Sequence, residues 1–286
     1  MPIEDLKKND SRELRHLHCN QHLQLLMTWL VLSFTSCSEG WSQTATDVSR
    51  AGNEKVAEIM RTFGGRGVMA DGSSPTPAVA ALNQFEIREG LDLELMAAEP
   101  NVEQPLFISW DSRGRMWVVQ YRQYQFPAGL KVIRYDQHLR AVFDKVPDPP
   151  PFGTPGEDKV TVFEDTDGDG YFDSSKDVIT GLNIATSVQT GNGAIWVLNP
   201  PYLLRYSDSN GDDVPDGEPE VHLSGFGLQD THSVANSLLW GPDGWLYGAN
   251  GSTTIGDVSS AITKGVRFQG QCIWRYHPNR REFEIY

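Results

Sequence analysis

Along residues 105–286, apolar residues come in short runs that alternate with polar ones, and turns rich in Gly, Asp and Pro separate the runs. A period of two predicts strands with buried faces rather than helices. Three stretches share more than this pattern. Ile108-Ser109-Trp110, Ser187-Val188-Gln189 and Ser237-Leu238-Leu239-Trp240 each lead into a four-residue turn: Asp111-Ser112-Arg113-Gly114, Thr190-Gly191-Asn192-Gly193 and Gly241-Pro242-Asp243-Gly244. Pro presets one backbone angle of such a turn, and Gly permits positive φ. Each turn returns into a run of branched and aromatic residues, at 116–119, 194–198 and 245–249, fit for a second strand. A third strand with an Arg-Tyr pair follows each hairpin: Val132-Ile133-Arg134-Tyr135, Leu203-Leu204-Arg205-Tyr206 and Ile273-Trp274-Arg275-Tyr276, with the arginines 71 and 70 positions apart. A strand–turn–strand unit repeated at that distance predicts an all-β chain and, within that class, a β-propeller. A sandwich also has many strands, but no reason to repeat its turn sequence.

The remaining segments give the domain plan. Phe85-Glu86-Ile87 and Leu91-Asp92-Leu93-Glu94-Leu95-Met96 alternate apolar and polar and predict two strands ahead of the first hairpin. Residues 121–159 form a long insertion with Tyr121, Tyr124, Phe126 and a Pro-rich run at 147–155. Prolines cannot supply ladder donors, so the run is surface loop, and the insertion is either a lid over a binding face or a decoration. Residues 38–84, rich in Ser, Thr, Ala and Gly, predict a flexible tether with one short helix over 53–62, where Val56, Ile59 and Met60 have helical spacing. Residues 23–34 are an apolar run too short to span a bilayer and suited to a signal-peptide core. The run enters Phe34-Thr35-Ser36-Cys37, which resembles a bacterial lipoprotein box with Cys37 as the lipidated residue. Ordinary signal cleavage a few residues later, or a buried helix, are the other readings. The expected plan is a signal segment (1–37), a tether (38–84) and a β domain (85–286) in the periplasm or at the cell surface, touching membrane only through a lipid anchor.

Charge and cysteines narrow the partners. Among 286 residues, 24 basic against 38 acidic give a net charge of −14, which disfavours nucleic acid and anionic membrane surfaces. Cys19, Cys37 and Cys272 make no disulfide framework, and no CxxC metal or haem motif is present.

Two acidic turns carry candidate metal chemistry. Asp165, Asp167, Asp169 and Asp173, with Gly170 at position six, match the first part of a calcium loop, in which several oxygens converge on one hard cation. Lys176 stands at position twelve, where an EF-hand has its bidentate Glu. A second copy offers Asp208, Asn210, Asp212 and Asp216, with Asp213 in place of the Gly. The other reading of both is a solvated hairpin turn, since Asp, Asn and Gly are also turn formers. Just before the third hairpin, His232 is a candidate general base with Asp230 as its orienting acid. The plainer alternative is a histidine that hydrogen-bonds a neighbouring loop.

Residues 101–117, NVEQPLFISWDSRGRMW, and 231–251, which include GPDG and WLYGANG, resemble the soluble quinoprotein glucose/sorbosone dehydrogenases. From 85 onward the chain is similar to the dehydrogenase-like propeller proteins of planctomycetes and related bacteria, through FEIREGLDLELMAAEP, DTDGDG, WVLNPPYLLRYSDSNGDD and NSLLWGPDGWLYGANGSTT. The resemblance implies a six-bladed propeller, of which about three blades are written here. It also implies pyrroloquinoline quinone and Ca²⁺ as cofactors, a sugar or alcohol as substrate, and a c-type cytochrome as electron acceptor. His232 would be the proton acceptor; it stands nine residues before Gly241, one more than in the dehydrogenases, and Ser233 takes the eighth place. Two other functions stay open: a non-catalytic carbohydrate-binding or scaffolding propeller, and a Ca²⁺-dependent hydrolase or lactonase, which would need acids at the central tunnel.

Overall fold

A computed structural model of the chain describes residues 48–62, 74–138 and 140–286. The signal segment expected over 1–37, with Cys37, lies outside them. Among the described residues no helix is long and apolar enough to cross a membrane. The described residues are mostly β, with three four-stranded antiparallel sheets and two two-stranded ones.

The first sheet begins with β1 (Pro105–Trp110) and β2 (Met116–Gln120). A hairpin of β3 (Val132–Tyr135) and β4 (Ala141–Phe143) is inserted before β5 (Asp158–Glu164) and β6 (Ser174–Leu182), and the sheet order is β1-β2-β5-β6. The second sheet takes β7 (Ser187–Thr190), β8 (Ala194–Asn199), β9 (Tyr202–Ser207) and β10 (Glu220–Ser224) in chain order. The third repeats the plan of the first. β11 (Asn236–Trp240) and β12 (Leu246–Asn250) come first; the hairpin β13 (Ile255–Val258) and β14 (Val266–Gln269) is inserted; β15 (Cys272–His277) and β16 (Glu282–Ile285) finish the sheet.

The middle sheet is apolar on both faces, and this places the other two. All six residues of β8, Ala-Ile-Trp-Val-Leu-Asn, are buried, as a strand covered on both sides requires. Ile195 and Val197, with Val188, Leu204 and Tyr206, pack against Trp117, Val119, Val160 and Val162 of the first sheet. Ala194, Trp196 and Leu198, with Leu203 and Leu223, pack against Leu238, Leu246, Trp274 and Tyr276 of the third. Each large apolar side chain buried this way is worth roughly 1.5–3 kcal/mol, so the two-sided packing outweighs any single ion pair. Gly248 of β12 is part of the fit: a Cβ there would stand 2.2 Å from the Trp274 ring. The first strands β1, β7 and β11 lie side by side. The two outward faces are mixed: on the first sheet Ile108 and Trp110 are exposed while Met116 and Val118 are covered by Ala97, Val102 and Phe172, and on the third Leu239 and Ile273 are exposed beside Tyr247, Arg275 and Glu284.

Several expectations change here. Arg205 and Arg275 lie on third strands, but Arg134 does not: β3 pairs with the three-residue β4 in a sheet of its own. The third strand of the first sheet is β5, whose alternating Val160 and Val162 give it a buried face to lay beside β2. Residues 85–96 form no strands. Their alternation is real, yet Phe85, Ile87, Leu91 and Leu93 are exposed, and a strand needs a partner edge as well as a pattern. Part of the stretch expected as tether is docked. Helix α1 (Glu54–Thr62) is capped by Asn53, whose Oδ1 accepts the Val56 N–H at 3.1 Å, and it buries Val56 and Met60 against Phe126 and Val132. A second short helix, α2 (Ala78–Leu82), is exposed or half-buried throughout.

At the turn end of the sheets, Arg115 is buried between two carboxylates. It bonds Asp111 at 2.8 Å and Asp213 at 2.5 and 2.8 Å, tying the first hairpin turn to the loop between β9 and β10. Burial alone would raise both carboxyls, but the hydrogen bonds made to them hold each below the usual carboxylate value. At the outer edge between the second and third sheets, His222 is buried with Nδ1 3.0 Å from Tyr276 Oη and Nε2 accepting from Arg281 Nη1 at 2.9 Å. Burial pushes this imidazole down to about 4, and the Arg281 charge adds to the effect.

Two predictions follow from these buried groups. Asp213 has φ +61°, a conformation Gly adopts without strain, yet Asp213→Gly is expected to destabilise by about 3 kcal/mol in urea because it strips a partner from a buried charge. Unchanged stability would show that the pair holds nothing together. His222 has a folded-state value below its unfolded one, so the stability tied to its neutral form is complete above pH 6.5 and fades as pH falls toward 4. Urea midpoints across that window should show wild type losing about 2 kcal/mol more than His222→Gln.

Candidate functional site

The beginnings of β1 and β11 and the residue before β7 meet at one end of the sheets, and the loop 225–235 crosses there. Antiparallel register puts the hairpin turns and both acidic loops at the opposite end, since Trp110 and Met116 pair near Phe163 while Pro105 and Gln120 pair near Lys159. The loop is held from below by a small apolar core of Tyr121, Leu130, Ile184, Leu228 and Val234. Three of its hydrogen bonds fix the path: Ser233 N–H to Asp230 O at 2.9 Å, Thr186 Oγ1–H to Ala235 O at 2.7 Å, and Tyr121 Oη–H to Thr231 O at 3.4 Å. Gly251 lies against the same loop; a Cβ on it would come within 2.2 Å of Ser233 O. This close approach accounts for the last Gly of Gly248-Ala249-Asn250-Gly251.

His232 projects from this loop with 63% of its side chain exposed. Its Nδ1 is 3.2 Å from Asp230 Oδ1, and this contact assigns the proton to Nδ1 and leaves Nε2 as an acceptor. Tyr124 meets the imidazole edge-on, with ring centroids 4.9 Å apart. Partial burial holds the His232 imidazole below its ordinary value, which favours its neutral form. Two cavities flank it. One, of about 330 Å³, is mostly apolar and takes Phe107, Tyr121, Tyr124 and Asn236 into its wall; the other, of about 290 Å³, is more polar and is lined by Gln125, His138, Arg140 and Gln229. A neutral imidazole oriented by a carboxylate between two cavities is equipped to accept a proton.

The insertion 121–159 is part of the candidate site. It supplies Tyr121, Tyr124, Gln125, His138 and Arg140 to the walls of the site. Asp158, which pattern reading passes over because it looks like an ordinary polar strand start, anchors it. Fully buried, Asp158 accepts N–H groups of Gln123, Ile184 and Ala185 at 2.8–3.0 Å. Burial pushes its carboxyl up to about 6, against the lowering effect of those donors.

In both acidic loops carboxylates hold the loop's own backbone, Asp165 accepting the N–H groups of Gly168, Asp169 and Gly170 and Asp169 that of Tyr171; the loops differ in what they gather. Ligand atoms of Asp165, Asp167 and Asp169 lie within 4.8 Å of one another, while Asp173 accepts from Thr166 N–H at 2.9 Å and its hydroxyl at 2.6 Å. In the second loop the carboxylates of Asp208, Asp212 and Asp216 serve the loop's own backbone or Ser209. Asn210 donates to Asp212, and Asp213 turns away to Arg115. Among the described residues the first loop alone gathers three metal-type side chains. Lys176 donates to Asp212 O at 3.0 Å and so links the loops instead of completing a ligand set. Both loops stand at the far end of the sheets from His232, about a strand length, or roughly 20 Å, away.

The implied quinone carries three carboxylates. Among the described residues lining the two cavities, the one permanent cation is Arg140, already bonded to Asp136 and to Thr253 O. The lining does not fit such a group by itself, and the carboxylate cluster that would hold Ca²⁺ is at the opposite end of the sheets.

One family model matches, over residues 77–286; its description is "Domain of unknown function (DUF7133)". No curated protein and no solved structure matches the chain.

The close approach at Gly251 gives a direct check on the site's construction. Gly251→Ala should cost about 1–3 kcal/mol by overpacking and should shift the NMR signals of His232 and Ser233. Unaltered spectra would mean that the loop 225–235 is not shaped from that side.

Proposed function

We propose, for a chain that belongs to the DUF7133 family, that it forms three blades of a six-bladed type of β-propeller similar to the quinoprotein sugar dehydrogenases, exported and held at the cell surface or in the periplasm. The observation that carries the functional part is the His232–Asp230 pair at the end where the first strands gather. Support for the architecture comes from three sheets of the same strand order, from their face-to-face packing and from the adjacency of β1, β7 and β11. The exposed apolar side chains on the outward faces, Ile108, Trp110, Leu239 and Ile273, are what sheets with further neighbours present.

In this reading His232 Nε2 takes a proton from a sugar or alcohol bound between the cavities, and Asp230 stabilises the imidazolium that forms. The oxidant would supply the hydride-accepting chemistry. Its carboxylates need cations beyond Arg140. Ca²⁺ at Asp165, Asp167 and Asp169 would be a structural ion of the fold, and a c-type cytochrome the electron acceptor. Cys37 would tether the protein through lipid.

A second reading, a carbohydrate-binding propeller without turnover, is favoured by the polar cavity, where Gln125, His138, Arg140, Gln229 and Asp230 offer the mixed donors and acceptors that hydroxyl groups require. The acids that a Ca²⁺-dependent hydrolase would place beside its nucleophile are at the other end of the sheets, so that reading ranks behind both.

The test is dye-linked oxidation of a panel of aldoses and alcohols by the full-length protein with added quinone and Ca²⁺. The reading predicts turnover that falls by about 10²–10⁴-fold in His232→Ala. Sugar binding in calorimetry, with no dye reduction above the His232→Ala background, would retire the oxidising half and leave the binding module.

A further inference from the structure

We propose that Arg140 and Thr253 are positioning residues for His232: through Asp230 they fix which ring nitrogen faces the cavities, so the β3–β4 hairpin controls the site without touching its ligand-facing atom. The inference rests on reading His232 as the proton acceptor.

The His232–Asp230 contact is weak on its own. It is 3.2 Å long and one partner is largely exposed. A carboxylate with a single such contact turns freely in water, and an unconstrained neutral imidazole carries its proton mainly on Nε2. That tautomer would leave no acceptor toward the cavities. Something has to hold Asp230.

Thr253 does so. Its Oγ1 donates to Asp230 Oδ2 at 2.6 Å, and the same oxygen lies 3.2 Å from Ser233 Oγ. A hydroxyl has one hydrogen; with Thr253 spending it on Asp230, Ser233 is the donor of the second contact. The order is then Ser233 to Thr253 to Asp230, and Asp230 Oδ1 is left for His232 Nδ1–H. Asp230 Oδ1 also lies 3.2 Å from the His232 backbone N–H, so both oxygens are occupied.

Thr253 is itself held across the molecule. Arg140 Nη1 donates to its carbonyl at 2.8 Å. Arg140 is aimed by Asp136, which accepts its Nε–H at 2.5 Å and also the backbone N–H groups of His138 and Arg140 at 2.8 and 3.1 Å. The hairpin inserted in the first sheet thereby reaches a loop of the third sheet, while Gly251 packs that loop against Ser233 O from the other side. Charged and titratable groups facing the polar cavity are Asp230, His138 and Arg140, with Tyr135 in its wall. Tyr124 stands at the imidazole edge.

The experiment is long-range ¹H–¹⁵N NMR of histidine-labelled full-length protein, followed with pH, for wild type, Thr253→Val, Thr253→Ser and Arg140→Met. Wild type should show His232 as the Nδ1–H tautomer. Thr253→Val removes the donor while keeping the shape, so the two ring nitrogens should exchange their order of chemical shift; Thr253→Ser should restore it. Arg140→Met should move the shifts in the same direction by a smaller amount. A folded Thr253→Val with the wild-type tautomer and titration overturns the inference; should that variant fail to fold, wild-type His232 shifts in Arg140→Met overturn it. Turnover does not enter the readout: a tautomer switch in a protein inactive on every substrate keeps this inference and retires the oxidation reading, and an active protein with no switch does the reverse.

Discussion

The interaction on which the structure depends is the burial of the second sheet between the other two. β8 has no solvent face: Ile195 and Val197 look into one interface, and Trp196 and Leu198 into the other. Because side chains alternate across a strand, a slip of one residue in its pairing would exchange the two sets. The register fixes which neighbour each face meets, and so aligns the beginnings of β1, β7 and β11. The loop carrying His232 runs over that alignment. The same packing separates chemistry by end, with the imidazole at the strand beginnings and the carboxylate loops at the turns.

Polar interactions refine this arrangement without creating it. Arg115 with Asp111 and Asp213 locks the turn end, Asp158 locks the insertion to the approach to β7, and His222 closes the outer edge of the second interface. Each is buried and satisfied mainly from segments distant in sequence. Each is also where a single substitution leaves a group without its partner, which costs more than the contact itself contributes.

Much of the fold was legible because it is local. The strands after each turn, the hairpins with Asp, Gly and Pro at their corners, and the helix capped by Asn53 rest on residues close together in the chain. The errors are long-range. Val132-Ile133-Arg134-Tyr135 has the signature of a third strand, but partner choice is decided by the buried faces of Val160 and Val162 on β5. Phe85 to Leu95 alternate like a strand, and alternation says nothing about whether an edge is free to pair. Asp213 looked like a flaw in a calcium loop; its reason is Arg115, 98 positions earlier. His232 and Asp230 are neighbours in sequence and could be paired by eye. Tyr124, Arg140 and Thr253 join them only through the fold, and no motif marks them.

The most direct test of the account is a methyl–methyl NOE map of selectively labelled protein. The packing predicts contacts from Val188 and Val197 to Val119 and Val160, and from Leu198 and Leu203 to Leu238 and Leu246, with none between the methyl groups of the first and third sheets. Contacts joining the first sheet directly to the third, with one face of the second sheet silent, would contradict it.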